Sequence, residues 1–167
     1  MKFVKVLLLV GMLLSGAGAR AADDPAAHLK AVTDLMAAMQ SEKMMRTITG
    51  TSGFPSEDKR TLAFAKLAKI KPAEIYQRLG QQVRPHISMA TALEMTHFYS
   101  TQYGQKVLYS TYNSGATFGG RGAPVPSAAE RKDMSRPAFI KAKKEFDAAD
   151  PAIRHEGFLL LQAINRN

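Results

Sequence analysis

One segment constrains the fold of this chain more than any other, namely Thr91 to Tyr112 (TALEMTHFYSTQYGQKVLYSTY). It holds four of the five tyrosines, and its apolar residues recur at helical spacing on both sides of Thr101. Threonine favours helix caps, so the pattern predicts two helices that meet at a kink near Thr101, in the centre of the core. Gly104, at the start of the second helix, predicts the close approach of another backbone.

The rest of the chain shows the same helical periodicity. Helix-start signals, either a capping side chain or an early proline, recur at Asp24-Pro25, Ser56, Pro72, Ser88, Ser127 to Glu130, Ser135 to Pro137 and Asp150-Pro151. We expect the first helix to run from Pro25 to about Thr47 and the last to begin at Pro151. Because no segment alternates with period two, the sequence predicts an all-α fold, a compact domain of about six to eight helices.

The first 21 residues have the organisation of a signal peptide. Lys2 and Lys5 precede an apolar run over Val6–Leu14, which is too short to span a bilayer, and Ala19–Ala21 offers small residues to a signal peptidase. We predict cleavage before Ala22, with cleavage after the first of those alanines as the alternative. The mature chain, residues 22–167, is then a periplasmic or secreted helical domain without a transmembrane helix.

Composition limits how this domain is stabilised and what it contacts. The chain has no cysteine, so packing must replace disulfides even after export. Its formal charge of +9 falls to +6 when Lys2, Lys5 and Arg20 leave with the signal peptide. Export argues against nucleic acid as the partner of this basic surface. A weak contact with an anionic envelope surface is one interpretation, through the basic residues Arg131, Lys132, Lys141, Lys143 and Lys144, and a solvated surface is the simpler one.

Two segments could supply a binding surface. Met36, Met39, Met44 and Met45 could line an adaptable groove, although such methionines more often fill a core. The Gly/Pro-rich loop near 113–126 (NSGATFGGRGAPVP) is too long for an ordinary turn. Its candidate partner contacts, if it is more than a flexible connection, are Phe118 and Arg121, because arginine and aromatic side chains are frequent in binding hot spots.

Two polar clusters could carry chemistry. Glu94 and His97 stand three residues apart, so they share one helical face, as in half of a carboxylate-bridged metal site. A second Glu-x-x-His is absent from the sequence, so we assign no metal and no cofactor. The other cluster is Arg154, His155 and Glu156. The sequence has neither a Gly-x-Ser-x-Gly elbow nor a cysteine nucleophile, and we therefore assign no catalytic residue.

The segment Phe98-Tyr99-Ser100-Thr101-Gln102-Tyr103-Gly104-Gln105-Lys106 resembles the signature of a family of exported bacterial proteins, domain-of-unknown-function family 2059. It matches that signature at Phe98, Tyr99, Gly104, Gln105 and Lys106. Thr101 stands where the family has a capping serine, while Gln102 replaces a proline and Tyr103 a small residue. The resemblance implies an exported helical fold without an established activity. It therefore implies a structural role for these positions and no catalytic one.

These observations lead to one functional prediction with two alternatives. We predict a non-enzymatic exported module that binds a protein partner or an amphipathic ligand. The first alternative is a cell-envelope enzyme with its site near Glu94 and His97 or near His155 and Glu156. The second is an immunity protein or inhibitor of an envelope-acting enzyme, which would bind through the Gly-rich loop.

Overall fold

A computed structural model describes residues 24–113 and 124–166 of the chain. These residues form eight α-helices, one short 3₁₀-helix (Arg84–His86) and no strand, which confirms the all-α prediction. The α-helices are α1 Pro25–Ala38, α2 Ser41–Thr51, α3 Glu57–Ala68, α4 Pro72–Val83, α5 Met89–Ser100, α6 Gln102–Asn113, α7 Ala128–Met134 and α8 Pro137–Arg166. The predicted signal peptide lies outside the described residues.

Most helix starts lie where the sequence predicts them, because local capping side chains satisfy the first free N–H groups. The Asp24 carboxylate accepts a hydrogen bond from the Ala26 N–H at 3.0 Å, at the start of α1. Ser56 and Ser88 cap α3 and α5 in the same way. At α7, Ser127 and Glu130 form the predicted capping box.

The prediction of one helix from Pro25 to Thr47 is wrong. Gln40 adopts a left-handed conformation with φ of 53° and separates α1 from α2. The Met36 carbonyl loses its helical partner at this break, and the buried Ser41 hydroxyl donates to it at 2.8 Å instead. The two helices can then turn independently and bury Met44 and Met45 of α2 in the same core as the face of α1.

The prediction that the last helix begins at Pro151 is also wrong, since α8 continues through this residue. Proline has no N–H for the carbonyl of Asp147 and disfavours a helix interior by about 3 kcal/mol. Buried residues on both sides, Phe146 before it and Ile153 after it, hold the two halves of α8 on one core. Tertiary packing therefore outweighs the local cost of the proline.

The core is a single connected cluster of buried side chains from six helices, namely α1, α2, α3, α4, α5 and α8. The first half of α8 lies along α5, and α8 also packs on α2, α3 and α4. Met36, Met39, Met44 and Met45 are at most 6% exposed, so they fill the core. Within the described residues, no helix has both the length and the apolarity to span a membrane.

Candidate functional site

The site is built around the corner where α5 ends and α6 begins. Thr101 separates the two helices, and its hydroxyl donates to the Phe98 carbonyl at 2.7 Å while accepting from the Gly104 N–H at 3.0 Å. One side chain thus satisfies an orphan carbonyl of α5 and an orphan N–H of α6. The kink and cap that the sequence predicts at Thr101 are confirmed.

Gly104 is buried against the end of α5. A Cβ atom at this position would collide with the Phe98 carbonyl oxygen and would lie 2.8 Å from the Tyr99 Cα. Both obstacles are backbone atoms and cannot rotate away. The prediction that a backbone closely approaches Gly104 is confirmed, and the backbone is that of the preceding helix.

Gln105 connects this corner to the break between α1 and α2. Its amide nitrogen donates to the Tyr99 carbonyl, and its amide oxygen accepts from the Gln40 side chain at 2.5 Å. Nearby, the Tyr112 hydroxyl donates to the Met39 carbonyl at 2.8 Å. The Gln105 side chain therefore joins the end of α5, at the Tyr99 carbonyl, to Gln40, the left-handed residue between α1 and α2. Sequence reasoning missed this connection because the two partners lie 65 residues apart.

The aromatic residues of the corner pack on one another and on α8. The ring of Phe98 lies 5.0 Å from Tyr99, 6.0 Å from Tyr103 and 5.3 Å from Phe139, measured between centroids. Burial, with smaller contributions from nearby carboxylates, raises the pKa of Tyr99 to about 12. The Tyr99 hydroxyl therefore stays protonated at neutral pH and is a poor candidate for acid–base chemistry.

Glu94 and His97 face α7 and the start of α8, where they join one charged network. Arg136 donates to both oxygens of Glu94, at 3.2 and 2.9 Å, and to Asp133 at 2.7 Å. The His97 Nε2 lies 3.5 Å from the other Asp133 oxygen. These contacts, above all the hydrogen bond from Arg136, lower the pKa of Asp133. The network couples the two predicted site residues to Asp133 and Arg136, which the sequence analysis did not select.

A groove of about 220 Å³ lies between this corner and α7. Its lining combines apolar and aromatic surface with charged side chains, and consists of His97, Phe98, Thr101, Tyr103, Ala129, Glu130, Asp133 and Met134. The groove thus brings Phe98 and Thr101 of the predicted motif together with His97. The capping box at Ser127 is a weak sequence signal for α7. No local sequence feature indicates that α7 lies over the ends of α5 and α6.

The second predicted cluster does not join the first. Arg154 donates to Asp150 one turn earlier in α8, at 2.7 Å, and Glu156 lies 3.5 Å from the His86 ring. His155 is exposed. Across the part of the chain that the structure describes, no hydrogen bond or ion pair links Glu94 or His97 to this cluster. The two clusters have different polar partners.

Near the start of α5 lies a second, more open groove of about 440 Å³, lined in part by His28, Arg84 and Glu145. The Glu145 carboxylate accepts hydrogen bonds from the Ser88 N–H at 2.5 Å and the Thr91 hydroxyl at 2.7 Å, so it caps α5. The Glu145 oxygens are therefore already engaged in hydrogen bonds that hold the start of α5. In the described ranges no three His, Asp or Glu side chains are arranged to hold a metal ion.

The remaining predicted residues are those of the Gly-rich loop, the basic residues and the last residue of the motif. Phe118 and Arg121 lie outside the described residues. Of the basic residues, Lys143 pairs with Asp147 at 2.6 Å, while Lys141 and Lys144 are exposed on α8. Lys106, the last motif residue, is also exposed.

Comparisons with protein-family models, with curated proteins and with solved structures each found no match to this chain. The resemblance of Phe98–Lys106 to a family signature therefore stays a prediction.

Proposed function

We propose that this protein is an exported, non-enzymatic binding module, and that its ligand site is the groove between the α5–α6 corner and α7. The observation that carries the proposal is the composition of that groove. Phe98, Tyr103 and Met134 offer apolar surface beside the polar side chain of His97 and the carboxylate of Asp133. Small-molecule sites in proteins typically combine apolar walls with a few polar groups in this way.

The bonding of the polar groups favours binding over catalysis. A general base needs a lone pair directed at its substrate. Both oxygens of Glu94 accept hydrogen bonds from Arg136, and the Thr101 hydroxyl is engaged in capping both helices. The side chain of His97 is 61% exposed and already lies beside Asp133. These groups hold the surface together and leave little free for a reaction.

The size of the groove indicates the kind of ligand. An apolar cavity of about 150 Å³ accommodates a benzene-sized molecule. A groove of about 220 Å³ therefore suits one aromatic ring or a short alkyl segment, with the remainder of the ligand outside. That segment could belong to an amphipathic small molecule or to a side chain of a protein partner, and both share the same apolar chemistry.

Fluorescence of the dye anilinonaphthalene sulfonate (ANS) tests the site. We expect the wild-type protein to bind ANS, and Ala129→Phe, which fills the groove, to weaken this binding at least about tenfold. Ala128→Phe is the matched control, because Ala128 is also exposed on α7 but does not line the groove. Equal ANS binding by the two variants, or none by the wild type, would contradict the proposed site.

Export has a separate test. Expression of residues 1–167 in a bacterium, followed by fractionation and mass spectrometry, should give a periplasmic protein that begins at Ala22. A full-length chain that stays in the cytoplasm would refute the proposed localisation while leaving the binding site untouched.

A further inference from the structure

Helix α7 is attached to the corner mainly by charge. It has seven residues, none of them buried. In contrast, every other α-helix of the described chain contributes at least two buried residues. Met134 packs, partly buried, against the core, but this is a small apolar contact, so the polar contacts of α7 must largely decide where it lies.

Two carboxylates of α7 reach the two sides of the corner. Glu130 and Asp133 are three residues apart, so they project from the same helical face. Asp133 lies beside His97, in the last turn of α5. Glu130 lines the groove together with Tyr103, in the first turn of α6, and its carboxylate accepts from the Ser127 N–H at 2.7 Å.

Between these two side chains α7 covers the corner without filling the space beneath it. The groove of about 220 Å³ lies there, and Phe98, which lines it, is only 6% exposed. The residues that follow α7 form a joint. Ser135 ends the helix and Arg136 precedes Pro137, which disfavours helical continuation into α8.

We propose that α7 is a lid over this groove, latched by the contact of Asp133 with His97, and that it swings about Ser135–Arg136 to admit the apolar segment of the ligand. This inference rests on the proposed function and adds its regulation. Opening breaks surface ion pairs and separates the partly buried Met134 from the core, so it costs much less than unfolding of the core.

Hydrogen exchange of the α7 amides tests the latch in the full-length protein. We expect Asp133→Asn, which removes the charge facing His97 and Arg136, to speed exchange in α7 by about twofold to fivefold. His97→Gln removes the contact from the other side and should act in the same direction. Asp147→Asn is the control, because it breaks only an exposed pair with Lys143 on α8. Exchange in α1 and α5 should not change in any of these variants.

The rate of ANS association separates the lid from the groove. If α7 gates entry, Asp133→Asn and raised salt, which screens exposed charges, should each increase the association rate about twofold to fivefold. Wild-type ANS binding with rates and α7 exchange unaffected by either change would overturn the lid and leave the binding site standing. Absence of ANS binding would instead refute the proposed function. Faster exchange spread equally over α1, α5 and α7 would show loss of global stability and would also overturn the lid.

Discussion

The two sides of the α5–α6 corner are held by different forces. On the inner side, Gly104 packs on the backbone at the end of α5, and Gln105 forms hydrogen bonds to that helix end and to Gln40 at the break between α1 and α2. The outer side faces α7 and is held by Asp133, Arg136 and His97 near the surface. Close contacts lose their energy over fractions of an ångström, whereas exposed charges tolerate displacement and respond to salt and pH. The inner side should therefore determine the stability of the fold, and the outer side should determine access to the groove.

The largest effect is expected at Gly104. In Gly104→Ala, the new methyl group would overlap the backbone of Phe98 and Tyr99, and we expect a loss of about 2–3 kcal/mol in the free energy of unfolding. Gly50→Ala is the matched control, since Gly50 is also helical and its nearest neighbour would be a Phe64 ring atom at 3.8 Å. It should stabilise the protein by about 0.5–1 kcal/mol. Urea denaturation gives the free energy of unfolding of both variants. Similar values for the two would contradict the inference that the inner side determines stability.

The next effect is expected at Gln105. Gln105→Ala leaves the Tyr99 carbonyl and the Gln40 amide without this partner, and we expect a loss of about 1–3 kcal/mol. Gln102→Ala, on the exposed side of the same helix, should change stability by less than about 0.5 kcal/mol. Denaturation midpoints compare the two. Equal midpoints would mean that water replaces the Gln105 bonds at no cost.

Alkaline pH should weaken the inner side. Burial raises the pKa of Tyr112 and raises that of Tyr99 to about 12, both from an ordinary value of 10.0. A group with a raised folded-state pKa contributes stability that is complete below the unfolded pKa and declines above it. Thermal stability should therefore fall between about pH 10 and pH 12, together with tyrosinate absorbance. Tyr112→Phe should reduce this decline, and an unchanged pH profile in that variant would contradict the assignment.

Acid should produce the smallest effect, confined to the outer side. The pKa of Asp133 is lowered by its contacts with Arg136 and His97. Its contribution is present above the unfolded pKa of about 4 and is lost as pH falls through the lower folded-state pKa. Amide chemical shifts of α7 should change in that range before the core responds, and Asp133→Asn should lack this early step. Simultaneous changes in α1 and α7 would show that the two sides are not independent.

Local chemistry explains how much of this fold was predictable. Thr101, Ser56 and Ser127 act within three residues of the N–H groups that they cap, so their roles could be recognised in the sequence. Gln40 and Pro151 could not be placed in this way. Gln40 is left-handed in spite of an unbroken apolar pattern around it, and Pro151 stays helical in spite of its local preference.

The candidate site shows the same division. The sequence places Glu94 and His97 on one face of α5 and supplies the caps that shape the corner, because both follow from spacing along one chain segment. Which charges meet that face was decided by tertiary structure. Arg136 reaches Glu94 from 42 residues away only because α5 and α8 share a core and the α7–α8 joint lies at its edge. Long-range contacts of this kind depend on which apolar faces pack together, and the local pattern shows that a face is apolar but not which other face it meets.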